Sequence, residues 1–348
     1  MIKVLIVDDS ALIRSMLQKI LNSEPDIEVV ATAQDAFVAR EHVKKLKPDV
    51  ITLDIEMPKV DGITFLDRLM KAAPTPVVMI STLTEAGADA TITALSLGAV
   101  DFVPKPKVDV AKGLQSFASL IVSKVRMAAG VKVKKLTAGK ERQPLASLNY
   151  RGTELIVGIG ASTGGTEAIK NIVTLLPASF PAIIITQHIP PQFTTSFAKR
   201  LDGLSAMTVS EAKDGERLLL GHAYLAPGDR HLMIQKSGAD YRIRLDDGEK
   251  VTGHKPSVDE MFESLAKQVK ENTIACLLTG MGKDGAQGMH SIKQAGGYTI
   301  TQNEATCVVY GMPKEADRLE AQCESLPIND IAQRMITLVN NKGKGNRI

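Results

Sequence analysis

Short runs of Val, Ile and Leu, each ended by a polar residue, dominate the first third of this chain: KVLIV before Asp8-Asp9, VITL before Asp54, VVMI before Ser81 and DFVP before Lys105. Apolar runs of that length, alternating with amphipathic helical patterns, specify a parallel sheet buried on both faces. Ligands of such sheets sit outside the carboxyl ends of the strands, so the four polar positions converge on one site. Carboxylates gathered there repel one another unless a hard cation such as Mg2+ screens them and takes their oxygens as ligands. Lys105 adds a fixed ammonium and Ser81 a hydroxyl where phosphoryl oxygens would lie. Asp54 is then a carboxylate nucleophile able to accept a phosphoryl group.

Strand ends are also polar simply because they meet solvent, and for any one of these residues that plain reading is the commoner. The set taken together, with MPKVDG following Asp54 and Lys105-Pro106 closing the last strand, resembles the response-regulator receiver family over roughly residues 1–125. By position, the resemblance implies Asp54 as phospho-acceptor, Asp8 and Asp9 as metal-binding acids, and Glu56 as the residue whose backbone carbonyl also ligates the metal. It implies Ser81 as the switch hydroxyl, Phe102 as the switch aromatic and Lys105 as the phosphate-facing lysine. A flavodoxin-like doubly wound fold and Mg2+ for phosphorylation come with it.

At 348 residues two domains are expected, since single cores rarely grow much beyond ~250 residues. Cys276, Cys307 and Cys323 lie far apart and make no C-x-x-C pair, so neither a zinc site nor a disulfide framework is indicated. The first residues enter a strand at once, without a charged leader or apolar h-region, and no apolar run approaches the ~20 residues needed to span a bilayer. A soluble, cytoplasmic protein without membrane insertion is expected. The net charge of +3 could suggest nucleic acid, but residues 1–107 carry 12 Lys and Arg against 15 Asp and Glu, residues 108–150 carry 8 against 2, and the remainder is balanced at 22 each. The excess lies in one connecting stretch. A DNA-binding output domain concentrates basic charge on a recognition element, and with no Trp and few aromatics base-stacking platforms are not supported either.

Val110, Leu114, Phe117, Ile121 and Val125 recur at helical spacing, so the first domain is expected to span 1–128. Residues 129–150 mix charge, Gly and Pro without periodicity and read as a basic linker. A second domain, 151–348, offers the strands ELIVGI, AIIITQ, IACLLT and GYTITQ, with helices near 165–176, 192–201, 257–271, 285–295 and 328–340. The third of these opens with a capping box, Ser257 to Glu260. Shorter alternating runs over 206–245 suggest antiparallel hairpins. The second domain is therefore expected to be a mainly parallel α/β sheet with a hairpin region.

GIGASTGGTEAI follows its first strand and opens a helix. As a Walker loop it has Thr166 where Lys is required. As a dinucleotide loop it lacks the third Gly, and the next strand ends in Gln187-His188 rather than a ribose-binding acid. Gly160-Ala161-Ser162-Thr163-Gly164 does fit G-x-S-x-G, in which small residues let a tight strand-to-helix turn hold out a serine beside a helix N-terminus. Such a match is also met at ordinary Gly-rich helix starts, so partners decide. His188 ends the next strand, and Asp284 follows the strand IACLLT at the same sheet edge. A serine, an imidazole to take its proton and a carboxylate to orient the imidazole form a triad in roles. Their chain order, Ser, His, Asp, differs from that of the α/β-hydrolases.

A receiver, a linker, then GASTGG, QHIP and TGMGKDGA together resemble the chemotaxis-specific protein-glutamate methylesterases of bacteria over nearly the whole chain. The resemblance implies Ser162 as nucleophile, His188 as base and then acid, Asp284 as the residue orienting it, and the Met281 amide as an oxyanion donor. It implies hydrolysis of glutamate methyl esters, and deamidation of selected glutamines, on chemoreceptors, without a cofactor for the esterase step and with a chemotaxis histidine kinase as phosphodonor. Of the other histidines, His231 follows PGDR in an expected loop and is a secondary candidate for the substrate groove, while His222, His254 and His290 are read as structural.

Overall fold

The computed structural model describes residues 1–82, 84–105, 111–133, 148 and 154–345, and the chain divides into two compact units, Met1–Gly139 and Lys140–Ile348. Most of the expected linker lies outside the described residues. No described helix is long and apolar enough to cross a membrane.

The first unit alternates strand and helix: β1 (Ile2–Val7), α1 (Ala11–Asn22), β2 (Ile27–Ala33), α2 (Ala36–Leu46), β3 (Val50–Asp54), α3 (Gly62–Ala72), β4 (Val77–Ser81), α4 (Glu85–Ser96), β5 (Asp101–Pro104) and α5 (Ala111–Ala129). The strands pair in parallel in the order β2-β1-β3-β4-β5. This is the doubly wound architecture that the apolar runs call for. Short polar side chains start the helices by accepting orphan backbone amides: Ser10 from Ile13, Asp35 from Phe37 and Val38, Asp61 from Thr64, and Thr84 from Gly87. On one face of the sheet Val4, Ile6, Val78, Ile80 and Val103 pack with Leu17 and Leu21 of α1 and Phe117, Ile121 and Val125 of α5. Each such burial contributes roughly 1.5–3 kcal/mol. Val131 and Val133, which the sequence pattern assigns to the linker, pack against this same core. The side chains of Val110 and Leu114 lie outside the described residues.

The second unit contains β6 (Ile156–Ala161), α6 (Gly165–Val173), β7 (Ala182–Gln187), α7 (Pro191–Asp202), β8 (Thr208–Glu211), β9 (His222–Leu225), β10 (His231–Ser237), β11 (Asp240–Asp246), α8 (Val258–Gln268), β12 (Thr273–Leu277), α9 (Ala286–Gln294), β13 (Tyr298–Gln302), α10 (Met312–Arg318), β14 (Glu324–Leu326) and α11 (Ile328–Gly345). Seven strands form one sheet in the order β14-β13-β12-β6-β7-β9-β8, with every pairing parallel. Among the described residues only β10 and β11 pair as antiparallel strands. The stretch 206–245 is thus one hairpin rather than several, because β8 and β9 join the main sheet in parallel.

Gly158 and Gly160, which invite a phosphate-loop reading, have a packing function in β6. A Cβ on Gly158 would come within 2.6 Å of Leu265 and 3.1 Å of Phe262, and one on Gly160 within 2.2 Å of Val258. Their lack of side chains lets α8 lie directly on the strand. That close approach brings the N-terminus of α8 to the carboxyl edge of the sheet.

Candidate functional site

Among the described residues two candidate sites lie at sheet edges, one at the carboxyl edge of each parallel sheet. In the first unit Asp8 and Asp9 follow β1 and Asp54 ends β3, and these neighbouring strands bring oxygens of all three carboxylates within 4.8 Å of one another. Asp8 and Asp54 are buried and Asp9 is exposed. The loop after β1 is fixed from within: the Ser10 amide donates to Asp8 Oδ1 at 2.9 Å, and Arg14 donates to the carbonyls of Asp8 and Asp9. Lys105, after β5, places its Nζ 2.8 Å from Asp54 Oδ2 and 3.3 Å from Asp8 Oδ2. Burial pushes the Asp54 carboxyl up to about 6, with the neighbouring Asp8 adding to the rise and Lys105 opposing it. Burial likewise raises Asp8. Lys105 loses stability as a cation through burial, but the two carboxylates outweigh that and raise it.

Among the described residues neither Asp8 Oδ2 nor Asp54 Oδ2 receives an aligned hydrogen bond, although each is within ion-pair distance of Lys105. Hard, buried, under-satisfied oxygens converging in this way fit a divalent cation. The Glu56 amide lies 3.4 Å from Asp54 Oδ1, and its carboxylate accepts from Thr82. The Ser81 hydroxyl is turned to α4, donating toward the Gly87 carbonyl at 3.2 Å and accepting from Thr91 at 2.7 Å. The structure therefore brings Asp8, Asp9, Asp54 and Lys105 together, and engages Ser81 on the adjacent helix. Phe102 is buried in β5.

In the second unit Ser162 follows β6 at the centre of the sheet. Its amide donates to Thr279 at the end of β12, while the His188 amide, after β7, donates to the Ala161 carbonyl. Ser162 thus sits between the strand ends that carry His188 and the Asp284 loop. Asp284 is buried at 1 % exposure, which an unpaired carboxylate could not sustain. Four donors satisfy it: His188 Nε2 at 2.8 Å, Ser257 Oγ at 2.7 Å, the Val258 amide at 2.7 Å and the Asp259 amide at 3.0 Å. Burial works to raise this carboxyl, but the His188 ring, the Val258 amide and the Ser257 hydroxyl overcome it and hold Asp284 well below the usual carboxylate range. An ionised Asp284 requires the proton of His188 to be on Nε2. In the neutral ring Nδ1 then carries the lone pair, and among the described residues it is buried without a hydrogen-bond partner.

The Ser162 side chain makes no hydrogen bond among the described residues, so the serine is not joined to Nδ1. Catalytic contacts of this kind commonly tighten only with substrate. The Met281 amide also has no acceptor among the described residues, whereas its neighbour Gly280 is committed to Val309. His231 has both ring nitrogens engaged within the protein. It is buried in β10, where Nδ1 accepts from the Ser257 amide at 3.1 Å and Nε2 donates to the Glu249 carbonyl at 2.9 Å. His231 thereby fills the half of the expected capping box that Glu260 would have supplied. Its side chain was legible as a candidate only through the preceding turn. The Ser257 hydroxyl and the α8 amides went unrecognised as partners of Asp284, although the capping signal located that helix start. His254, assigned a structural role, stacks on His188, with ring centroids 3.8 Å apart and planes 5° from parallel.

A family model described as CheB methylesterase matches residues 157–335, and one described as response regulator receiver domain matches residues 4–115. The chain is 53% identical over 347 residues to protein-glutamate methylesterase/protein-glutamine glutaminase 2 of Pseudomonas aeruginosa, covering 100% of this chain and 99% of that protein. It is 51% identical over 353 residues to the protein-glutamate methylesterase/protein-glutamine glutaminase of Methylobacillus flagellatus, again covering 100% of this chain and 99% of the relative. Among solved structures, the catalytic domain of the CheB methylesterase of Thermotoga maritima superposes with a TM-score of 0.52 at 43% identity, covering 53% of this chain and 98% of that domain. With a parallel α/β catalytic unit matched along its length and a receiver fold preceding it, this chain belongs to the CheB methylesterase family.

Proposed function

We propose that this protein hydrolyses glutamate γ-methyl esters on chemoreceptors, and deamidates selected receptor glutamines, in response to phosphorylation of Asp54. The observation that carries the reading is the His188–Asp284 pair at the Ser162 edge of the sheet, with Nε2 2.8 Å from Asp284 Oδ2 and Nδ1 buried without a partner among the described residues. Nδ1 takes the Ser162 proton as Oγ attacks the ester carbonyl. The imidazolium that forms is stabilised by Asp284, which stays ionised. The Met281 amide supplies an oxyanion donor. His188 then gives the proton to the departing ester oxygen, released as methanol, or to the departing amide nitrogen of a glutamine, released as ammonia, as its bond to the acyl carbon breaks and leaves an acyl-enzyme on Ser162. Water, deprotonated by the same Nδ1, attacks the acyl carbon, and as the bond to Oγ breaks the proton returns to Ser162 and glutamate is released. The relatives' names, which pair methylesterase with glutaminase activity, support both substrates.

For the first unit, Asp8, Asp9, Asp54 and the Glu56 carbonyl would hold Mg2+, which when bound offsets the negative charge of an incoming phosphoryl group. Asp54 is the acceptor, and a chemotaxis histidine kinase is the donor in this reading. Lys105 is already placed to meet a phosphoryl oxygen, while the Ser81 hydroxyl would have to leave α4 to do so, with Phe102 moving in concert. The setting is cytoplasmic, where kinase and receptor signalling segments meet.

The test is Ser162→Ala assayed on methyl-labelled receptor membranes, counting released methanol. Loss of the nucleophile from a triad costs on the order of 10^4-fold or more in kcat, so activity should vanish while Asp54 still accepts phosphate from a small phosphodonor. Half-retained activity would refute the assignment.

A further inference from the structure

His188 is anchored to Asp284 through a single ring nitrogen, and one hydrogen bond leaves an imidazole free to rock about the bond axis. A base that rocks aims its second nitrogen poorly. The face of the ring is where a restraint could act, and His254 lies on it, at 3.8 Å between centroids and 5° between planes.

The backbone that carries His254 is itself pinned. It lies in the loop between β11 and α8, closed by paired hydrogen bonds between Val251 and His254, at 3.0 and 2.9 Å. Lys255 Nζ donates to the Asp247 carbonyl at 3.2 Å. Buried His231 ties the loop at two points, accepting from the Ser257 amide and donating to the Glu249 carbonyl. The same Ser257 donates its hydroxyl to Asp284. One loop therefore supports the His188 ring from two directions, through Ser257 and Asp284 at its edge and through His254 at its face.

We propose that His254 is a positioning residue, a flat ring that fixes the plane of His188 so that Nδ1 points at the Ser162 hydroxyl and water is kept from that face of the base. This rests on the reading of Ser162, His188 and Asp284 as the triad. The requirement is for an aromatic plane, and the ring nitrogens of His254 take no part in the reaction. A misaimed catalytic group costs on the order of 10^2-fold when displaced by about 1 Å, and the loss falls on kcat because the substrate is held elsewhere.

The experiment compares His254→Phe, a ring without nitrogens, with His254→Gln, a polar chain without a ring. Both are made in the full chain, supplied with a small phosphodonor and assayed on methyl-labelled receptor membranes. His254→Phe should keep kcat within about threefold of the parent, and His254→Gln should lose roughly 10- to 100-fold in kcat with KM changed less than about twofold. Circular dichroism on both variants confirms the fold is kept. Full activity in His254→Gln, or equal loss in the two variants, overturns the proposal. A parallel His188→Ala separates the two levels: if that variant stays active the triad reading fails, whereas its inactivity beside a fully active His254→Gln rejects only the role of His254.

Discussion

At the scale of single residues, the catalytic unit is an exercise in holding carboxylates away from water. Asp284 is kept ionised by four donors, and Asp259, two residues into the same helix region, is left with the weaker environment. Burial pushes Asp259 up to about 6, and the adjacent Asp284 adds to the rise, while the Gly288 amide, donating at 2.8 Å, opposes it. A carboxyl raised on folding is destabilising when ionised: the penalty is absent below the unfolded value near 3.8 and fully present above about 6. Asp259→Asn keeps an acceptor for the Gly288 amide and removes the charge. It should stabilise the catalytic unit by on the order of 1 kcal/mol at pH 8 and leave it unchanged below pH 4, as read from urea unfolding of the second unit at the two pH values. Equal effects at both would point to packing rather than charge. Strand-end polarity made Ser162, His188 and Asp284 legible in the sequence, because each follows a distinct apolar run. His254 was not legible, since it lies in a loop without periodicity and meets His188 only through tertiary folding.

At the scale of elements, α8 organises the site more than any strand does. Its first turn supplies two amides and a hydroxyl to Asp284, and its approach to β6 depends on Gly158 and Gly160. The sequence showed this helix through its capping signal, yet offered a phosphate-loop pattern for the glycines, because a missing side chain looks the same whether a ligand or a helix fills the space. The short strands β8 and β9 were misread as hairpin strands for a related reason. Four-residue alternation reports a strand without reporting its direction, and the direction is set by the crossover between them. α10, seven residues long with a proline near its start and no side-chain cap, carried no signal strong enough to mark it. The loop after β12 gives an element-scale prediction. A Cβ at Gly280 would fall 2.7 Å from Ser162 Cβ, 3.1 Å from the Ser162 amide and 2.3 Å from Met312 Sδ. Gly280→Ala should therefore drive the loop carrying the Met281 amide and Ser162 apart. Losing an oxyanion donor costs about 10^2- to 10^3-fold in kcat, and a loss of that order should appear in receptor demethylation. A drop below threefold would mean the loop relaxes without moving the donor or that Met281 is not the donor.

At the scale of the whole molecule, two chemistries share one chain: a carboxylate proposed above to accept a phosphoryl group in the first unit and an esterase in the second. Because both lie on one chain, each is at high effective concentration toward the other, and a weak restraint suffices for the control proposed above. Phosphorylation adds roughly −1.5 to −2 charge at Asp54, beside a lysine and two acids whose balance it must upset. A coupling of about 1–3 kcal/mol between that event and release of the esterase would change activity roughly 5- to 150-fold. The sign of the coupling is testable by removing the receiver. A fragment beginning at Leu148 should be more active than the unphosphorylated full chain and indifferent to a small phosphodonor, whereas Asp54→Asn in the full chain should stay low with or without it. Released methanol from labelled receptor membranes measures all three. If the fragment is no faster than the unphosphorylated parent, the receiver does not restrain the esterase, and activation must act by promoting catalysis or by recruiting the enzyme to its receptor.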